Sequence, residues 1–198
     1  MIIIINFKTH VTGKEATKLA RLFEKIARAN KAAVVLAVKT NDLGKISSLV
    51  NIPVIAQQVD NFSRIKKGIG SLINHSDHPL TLLEIKRAIA QLRKNRLISI
   101  ACAPNSTIVK KIARLKPDLI AIEPPELIGG NKSVSTTKPG EVRKAVQAAN
   151  GIPLLCGAGI KTRADVIAAR KLGVQGILIS SGVVKAKNPG KALAELLH

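Results

Sequence analysis

The feature that most constrains this chain is a recurrence of short, unbroken aliphatic runs, most of them followed by a stretch with helical spacing. The runs fall at residues 1–6, 33–38, 53–57, 69–73, 97–102, 118–122, 152–156 and 176–179. Segments of this length, rich in Val, Ile and Leu and lacking polar alternation, read as strands covered on both faces, as in a parallel sheet. Between them lie candidate helices at 12–29, 41–50, 80–95, 106–115, 141–149 and 163–172, with a last one from Pro189 onward. In 12–29, Ala16, Leu19, Ala20, Leu22, Phe23, Ile26 and Ala27 recur at helical spacing, with Thr12 placed as N-cap. In 80–95 the face is Leu82, Leu83, Ile85, Ala88, Ile89 and Leu92, and Gly173 stands just past 163–172 as a C-cap. Residues 61–68 form only a brief basic connection.

Eight strand–helix units without a linker most simply close on themselves. The expected fold is α/β: one compact (β/α)8 barrel domain over residues 1–198, with the helix between strands 3 and 4 reduced or missing. An open doubly wound sheet is the alternative, but no strand is followed by the Gly-x-Gly-x-x-Gly turn of dinucleotide binders.

Composition narrows the class. Aromatic residues are 2% of the chain, with no Trp or Tyr, so the core must be aliphatic. No apolar run approaches the ~20 residues of a membrane span. The opening Met1–Ile5 run is too short for a signal peptide. Cys102 and Cys156 each end a strand-like run, which suggests buried thiols in a cytoplasmic protein rather than a disulfide or metal site. The formal charge of +20 favours anionic partners. Nucleic acid, an acidic surface or a phosphorylated metabolite would serve, and a solvated basic surface accounts for most of these residues. Nucleic acid is disfavoured, because the Lys and Arg are dispersed along the sequence and aromatics for base stacking are scarce.

In barrels of this kind the site lies at the C-terminal ends of the strands. Asn6 and Lys8 follow the first strand, Asn74 and His75 the fourth, and Glu123 the sixth. Gly157-Ala158-Gly159 follows the seventh and Ser180-Ser181-Gly182 the eighth. The last two turns can offer backbone N–H groups to a phosphate. Glu123 is followed by Pro124-Pro125-Glu126-Leu127-Ile128-Gly129-Gly130, a segment stiff at one end and flexible at the other.

With these motifs in this order, the chain resembles triosephosphate isomerase of the short archaeal type, along nearly its whole length. The carrying motifs are Asn6-Phe7-Lys8, Asn74-His75-Ser76-Asp77, Glu123-Pro124-Pro125-Glu126-Leu127-Ile128-Gly129, Cys156-Gly157-Ala158-Gly159-Ile160 and Ser181-Gly182-Val183. The resemblance implies a TIM barrel that interconverts dihydroxyacetone phosphate and D-glyceraldehyde 3-phosphate in the cytoplasm, with no cofactor and no metal. It makes Glu123 the base and a neutral His75 the electrophile; these two roles are a known worked case rather than a deduction from this sequence. It implies that a helix beginning at Ser76-Asp77 keeps that imidazole uncharged. Lys8 would supply positive charge and Asn6 would orient the substrate oxygen. Phe7, Ile128, Gly129, Gly159, Ser180 and Ser181 would complete the substrate and phosphate site, Ile128 and Gly129 from a closing loop. Relatives carry a long loop between strands 3 and 4 that reaches a neighbouring subunit. Residues 61–68 lack most of it, so the usual dimer contact is not expected and self-association stays open. A phosphate-binding barrel with weak or lost turnover is the alternative within the fold, and a basic nucleic-acid-associated protein the alternative outside it.

Overall fold

A computed structural model describes residues 1–60 and 62–197 of the chain. Eight strands, β1 (Ile2–Asn6), β2 (Val34–Val38), β3 (Val54–Ala56), β4 (Gly70–Ile73), β5 (Ile98–Ala103), β6 (Leu119–Ile122), β7 (Leu154–Gly157) and β8 (Gly176–Ile179), form a closed barrel in chain order. Every neighbouring pair is parallel, and β8 closes onto β1 with Ile3 opposite Ile177 and Ile5 opposite Ile179. The expected (β/α)8 barrel is therefore present, and the open-sheet alternative is not.

The helices of the first half are α1 (Gly13–Ala29), α2 (Thr40–Ser47), α3 (Phe62–Ile65), α4 (Leu82–Lys94) and α5 (Ser106–Ala113). Those of the second half are α6 (Val134–Thr137), α7 (Pro139–Ala148), α8 (Arg163–Lys171), α9 (Ser181–Val184) and α10 (Pro189–Leu197). The connection between β3 and β4 is reduced as expected, although it keeps a single turn, α3, whose Ile65 is fully buried. Asn61, the first residue of the expected basic connection, and the final residue His198 lie outside the described residues. Two short helices, α6 and α9, do not emerge from spacing, because four residues are too few to display a helical period.

Local capping decides where helices begin. Thr81 opens α4 with a reciprocal capping box: its hydroxyl accepts from the Glu84 N–H, and the Glu84 carboxylate accepts from the Thr81 N–H at 2.7 Å. Thr162 and Asp165 do the same for α8. Thr12 does sit at the N-cap of α1, but its side chain makes no capping bond. The Gly13 N–H donates instead to the carboxylate of Asp42, 3.0 Å away at the start of α2. Gly173 adopts the left-handed φ of +93° beyond α8, as a C-terminal glycine should.

Strand alternation divides the core in two. Ile4, Ala37, Ile55, Leu72, Ile100, Cys102, Ala121, Leu155 and Leu178 fill the barrel interior. The opposite-parity residues pack beneath the helices in a larger shell that includes Ile3, Ile5, Phe7 and Phe23. The Phe7 and Phe23 rings meet edge to face, with centroids 5.9 Å apart. This parity also positions the site. Asn6, Glu123 and Gly157 each stand two residues beyond an inward side chain (Ile4, Ala121 and Leu155), so each faces the mouth of the barrel.

Candidate active site

A cavity of about 550 Å³ opens at the C-terminal end of the barrel. Asn6, Lys8, His75, Glu123, Ile128, Gly129, Gly159, Ser180 and Ser181, nine of the residues named from sequence, line it together. Phe7 does not. Its side chain is 0% exposed and belongs to the outer shell, because it has the parity of Ile3 and Ile5 rather than that of Asn6. The contiguous Asn6-Phe7-Lys8 motif thus contributes its first and third residues to the cavity and its second to the core.

Glu123 and His75 form the centre. Both are buried, at 8% and 3% exposure. Glu123 Oε2 and His75 Nε2 are 3.6 Å apart, too far for a hydrogen bond. Neither atom has a hydrogen-bond partner among the described residues. Ser180 Oγ shares that condition. Buried polar atoms without partners are costly, so their grouping around one cavity points to a polar ligand.

The imidazole is oriented by the chain immediately after it. Asp77 N–H donates to His75 Nδ1 at 3.2 Å. A nitrogen that accepts carries no proton, so the neutral ring keeps its hydrogen on Nε2, facing Glu123. The helix expected to begin at Ser76-Asp77 is not there; α4 starts at Leu82, behind the Thr81 cap. A single backbone N–H in a turn, rather than a helix end, faces the ring nitrogen. Asn74 holds this turn in place. At φ +57° it is left-handed, its amide donates to the Cys102 carbonyl at 2.9 Å, and its Oδ1 accepts from the Leu80 N–H at 2.8 Å. The residue before His75 therefore ties β4 to β5 and to the entry of α4.

Lys8 is likewise placed by a neighbour. Its left-handed φ of +50° is supported by its N–H, which donates to Asn6 Oδ1 at 2.9 Å. Its ammonium lies 3.4 Å from Asp77 Oδ2, which links the Lys8 and His75 walls. Sequence reasoning missed other side chains at the cavity, among them His10, Lys161, Lys185 and Ala186. The His10 pKa is lowered, first by burial and then by the charges of Lys185 and Lys8. Lys185 could have been found only by foreseeing α9, whose single turn carries it back to the rim.

The loop from Glu123 has structured ends. Pro125–Leu127 form one 3-10 turn, Leu127 is buried in the outer shell, and Lys138 pairs with Glu126. Its far end is tied to the turn after β7, where the Val134 N–H donates to the Ala158 carbonyl at 3.2 Å. Gly159 is required there: a Cβ would lie 2.0 Å from the Lys132 carbonyl oxygen, and its φ is +71°. Gly157 is required for a different reason. A Cβ would lie 2.6 Å from Glu123 Cγ. The two cysteines flank the same carboxylate. Burial first, and then the Glu123 charge, push the Cys156 thiol up to about 12. The same causes, with a hydrogen bond to Glu123, raise Cys102 well above its ordinary value. Both are free and buried, as expected from their strand-end positions. Among the described residues, no three His, Cys, Asp or Glu side chains are grouped as a metal site, and no helix is long and apolar enough to cross a membrane.

Comparison with known proteins agrees with this geometry. The family model for triosephosphate isomerase matches residues 1–64 and 67–197. The triosephosphate isomerase of Methanothermus fervidus is 39% identical, over 99% of this chain and 97% of its own length. That of Methanocaldococcus jannaschii is 38% identical, over 100% and 99%. Among solved structures, thiamine phosphate pyrophosphorylase from Pyrococcus furiosus superposes with a TM-score of 0.70 at 16% identity, covering 98% of this chain and 93% of that one. An archaeal fructose 1,6-bisphosphate aldolase does so with a TM-score of 0.66 at 14% identity, over 98% and 91%. At such identities these two likenesses concern the barrel alone. The matches to the family model and to full-length relatives, with eight closed βα units and the strand-end carboxylate and imidazole, show that the chain belongs to the triosephosphate isomerase family, enzymes that interconvert dihydroxyacetone phosphate and D-glyceraldehyde 3-phosphate.

Proposed function

We propose that Glu123 carries the proton between C1 and C2 of the triose phosphate, while neutral His75 donates from Nε2 to the substrate oxygens. The observation that carries this reading is the pairing of two buried, unpartnered atoms, Glu123 Oε2 and His75 Nε2, 3.6 Å apart on the cavity wall. A substrate lying against both would meet a base beside its carbons and a donor beside its oxygens. Abstraction of a C1 proton by the carboxylate gives an enediolate, whose oxygen at C2 receives the hydrogen bond from Nε2–H. Transfer of the O1 hydroxyl proton to O2, by way of His75, and return of the carbon proton from Glu123 to C2 complete the aldose. Lys8 supplies positive charge to the developing oxyanion and to the phosphate, and Asn6 holds Lys8 in its left-handed conformation.

The phosphate would rest on the backbone of Gly159, Ser180 and Ser181, which lie together on the opposite wall. Ile128 and Gly129 line the same cavity from the loop after Glu123, and closure of that loop would exclude water from the carboxylate. We place the enzyme in the cytoplasm, where two buried free thiols stay reduced.

Steady-state isomerisation of glyceraldehyde 3-phosphate tests the reading. Glu123→Gln preserves shape and removes the base, so turnover should fall by roughly 10²–10⁴-fold with the thermal melt unchanged. A variant that turns over at the parent rate would remove Glu123 from the mechanism. A parent protein that binds phosphate without isomerising would reduce the site to a binding pocket.

A further inference from the structure

The basic residues are dispersed along the sequence, but the fold brings some of them together. All strands are parallel, so the longer helices that link them run back toward the face opposite the cavity. The last turns of α1, α2, α4, α5 and α8 are basic. The first turns of α1, α2, α4, α7 and α8, at the cavity end, hold Glu15, Asp42, Glu84, Glu141 and Asp165. Each choice suits a helix dipole on its own. Repeated around a barrel, the choices add cations where these helices end and carboxylates where they begin.

Where α5 and α7 end, a groove of about 610 Å³ runs between them. Lys110, Arg114 and Lys116 line it with the amides of Gln147 and Asn150, and no carboxylate is among the lining residues. The nearby Asp118 carboxylate is engaged by the Ser99 N–H and hydroxyl at 2.8 and 2.6 Å. The edge of the groove extends onto α4, where the Arg93 guanidinium donates to the Lys116 carbonyl. Arg96 and Lys116 both occupy exposed left-handed turns, at φ +56° and +55°. The apolar lining is limited to Ala113, Ala148 and Ile152, so nothing aromatic lines the groove to stack on a base.

We propose that this groove and the adjoining Arg and Lys turns bind the phosphate backbone of double-stranded nucleic acid, independently of base sequence and apart from the isomerase cavity. Closely spaced cations matched to a repeating anion, without stacking side chains, favour duplex over single strand.

Fluorescence anisotropy of the full chain with a labelled 20-base-pair duplex of arbitrary sequence, at several salt concentrations, tests this. Each neutralised phosphate contributes about 0.9 to the slope of log affinity against log salt, so engagement of the five cations gives a slope of about −4.5. The pair Arg114→Glu and Lys116→Glu should weaken binding at least tenfold and flatten the slope by about two, leaving turnover unchanged. The pair Lys14→Glu and Lys18→Glu on α1 makes the same change in net charge and should weaken binding less than about twofold, by the same counting. If the first pair does not fold, Arg96→Glu with Lys110→Glu replaces it. The proposal is overturned by equal loss in both pairs, by absence of binding at low salt, or by preference for single-stranded DNA of equal length. It is also overturned if vesicles of phosphatidylserine bind with the same dependence on Arg114 and Lys116.

Discussion

Gly157→Ala isolates how closely the barrel wall positions the base. In the native protein the added methyl carbon would stand 2.6 Å from Glu123 Cγ and 2.8 Å from Oε1. Carbon atoms in contact prefer about 3.5–4.0 Å, so the carboxylate must retreat by about 1 Å. Gly157 is in β7, whose partner strands fix the backbone, while the Glu123 side chain faces the open cavity; the side chain is the part that moves. A displacement of about 1 Å at a reacting group costs on the order of 10²-fold in rate, equivalent to about 2.7 kcal/mol of barrier. The three atoms nearest the methyl all belong to Glu123 and none to the phosphate wall at Gly159, Ser180 and Ser181. Coupled steady-state kinetics should therefore show kcat reduced about 10²-fold with KM little changed, and circular dichroism should show a native melt. A kcat within about threefold of the parent, on the scale of that estimate, in a folded variant would refute the claim that Gly157 sets the carboxylate's position. A rise in KM at constant kcat would assign the glycine to binding instead.

Three further outcomes follow from other parts of the structure. Asn74→Gly keeps the left-handed backbone but deletes two hydrogen bonds, so stability should fall by about 1–3 kcal/mol in urea titration; if the turn holds His75, kcat should fall while KM stays, and Asn74→Asp should not restore the bond to the Cys102 carbonyl. Because Cys156 is raised to about 12 in the fold, the native state retains a proton that the unfolded chain loses near pH 9; its stabilisation is complete below that pH and declines as pH rises toward 12. Between pH 9 and 10 the unfolding free energy should fall by up to about 1.4 kcal/mol from this group, and Cys156→Ala should flatten that decline. Phe23→Ala removes a fully buried ring stacked edge-on against Phe7 and should cost about 3–5 kcal/mol by urea denaturation, with kcat retained in the folded fraction.

The barrel was legible because its strands are aliphatic runs doubly covered by the fold, and its rim was legible because a parallel barrel sends every strand end to one side. The limits of that legibility have physical causes. The resemblance places Phe7 in the substrate site with Asn6 and Lys8, although strand alternation turns it into the outer shell. The helix assigned to Ser76-Asp77 begins at Leu82 because the Thr81–Glu84 capping box outweighs a Ser-Asp pair that has no such partner. His10 and Lys185 reach the cavity through a turn and a one-turn helix too short for any periodicity to announce. The gathering of cations at α4 and α5 depends on helix direction, which no count along the chain contains.

The filled interior of the barrel has a consequence for any proton held on Glu123. Ile4, Ile55, Leu72, Ile100, Leu155 and Leu178 close the barrel below the carboxylate, and each is at most 3% exposed. No chain of polar groups among them leads to the far face. A hydrogen isotope carried on Glu123 can wash out only through the mouth that Ile128 and Gly129 border. The fraction of label transferred from substrate to product, against that lost to solvent, is therefore a clock for how long the mouth stays shut in each turnover.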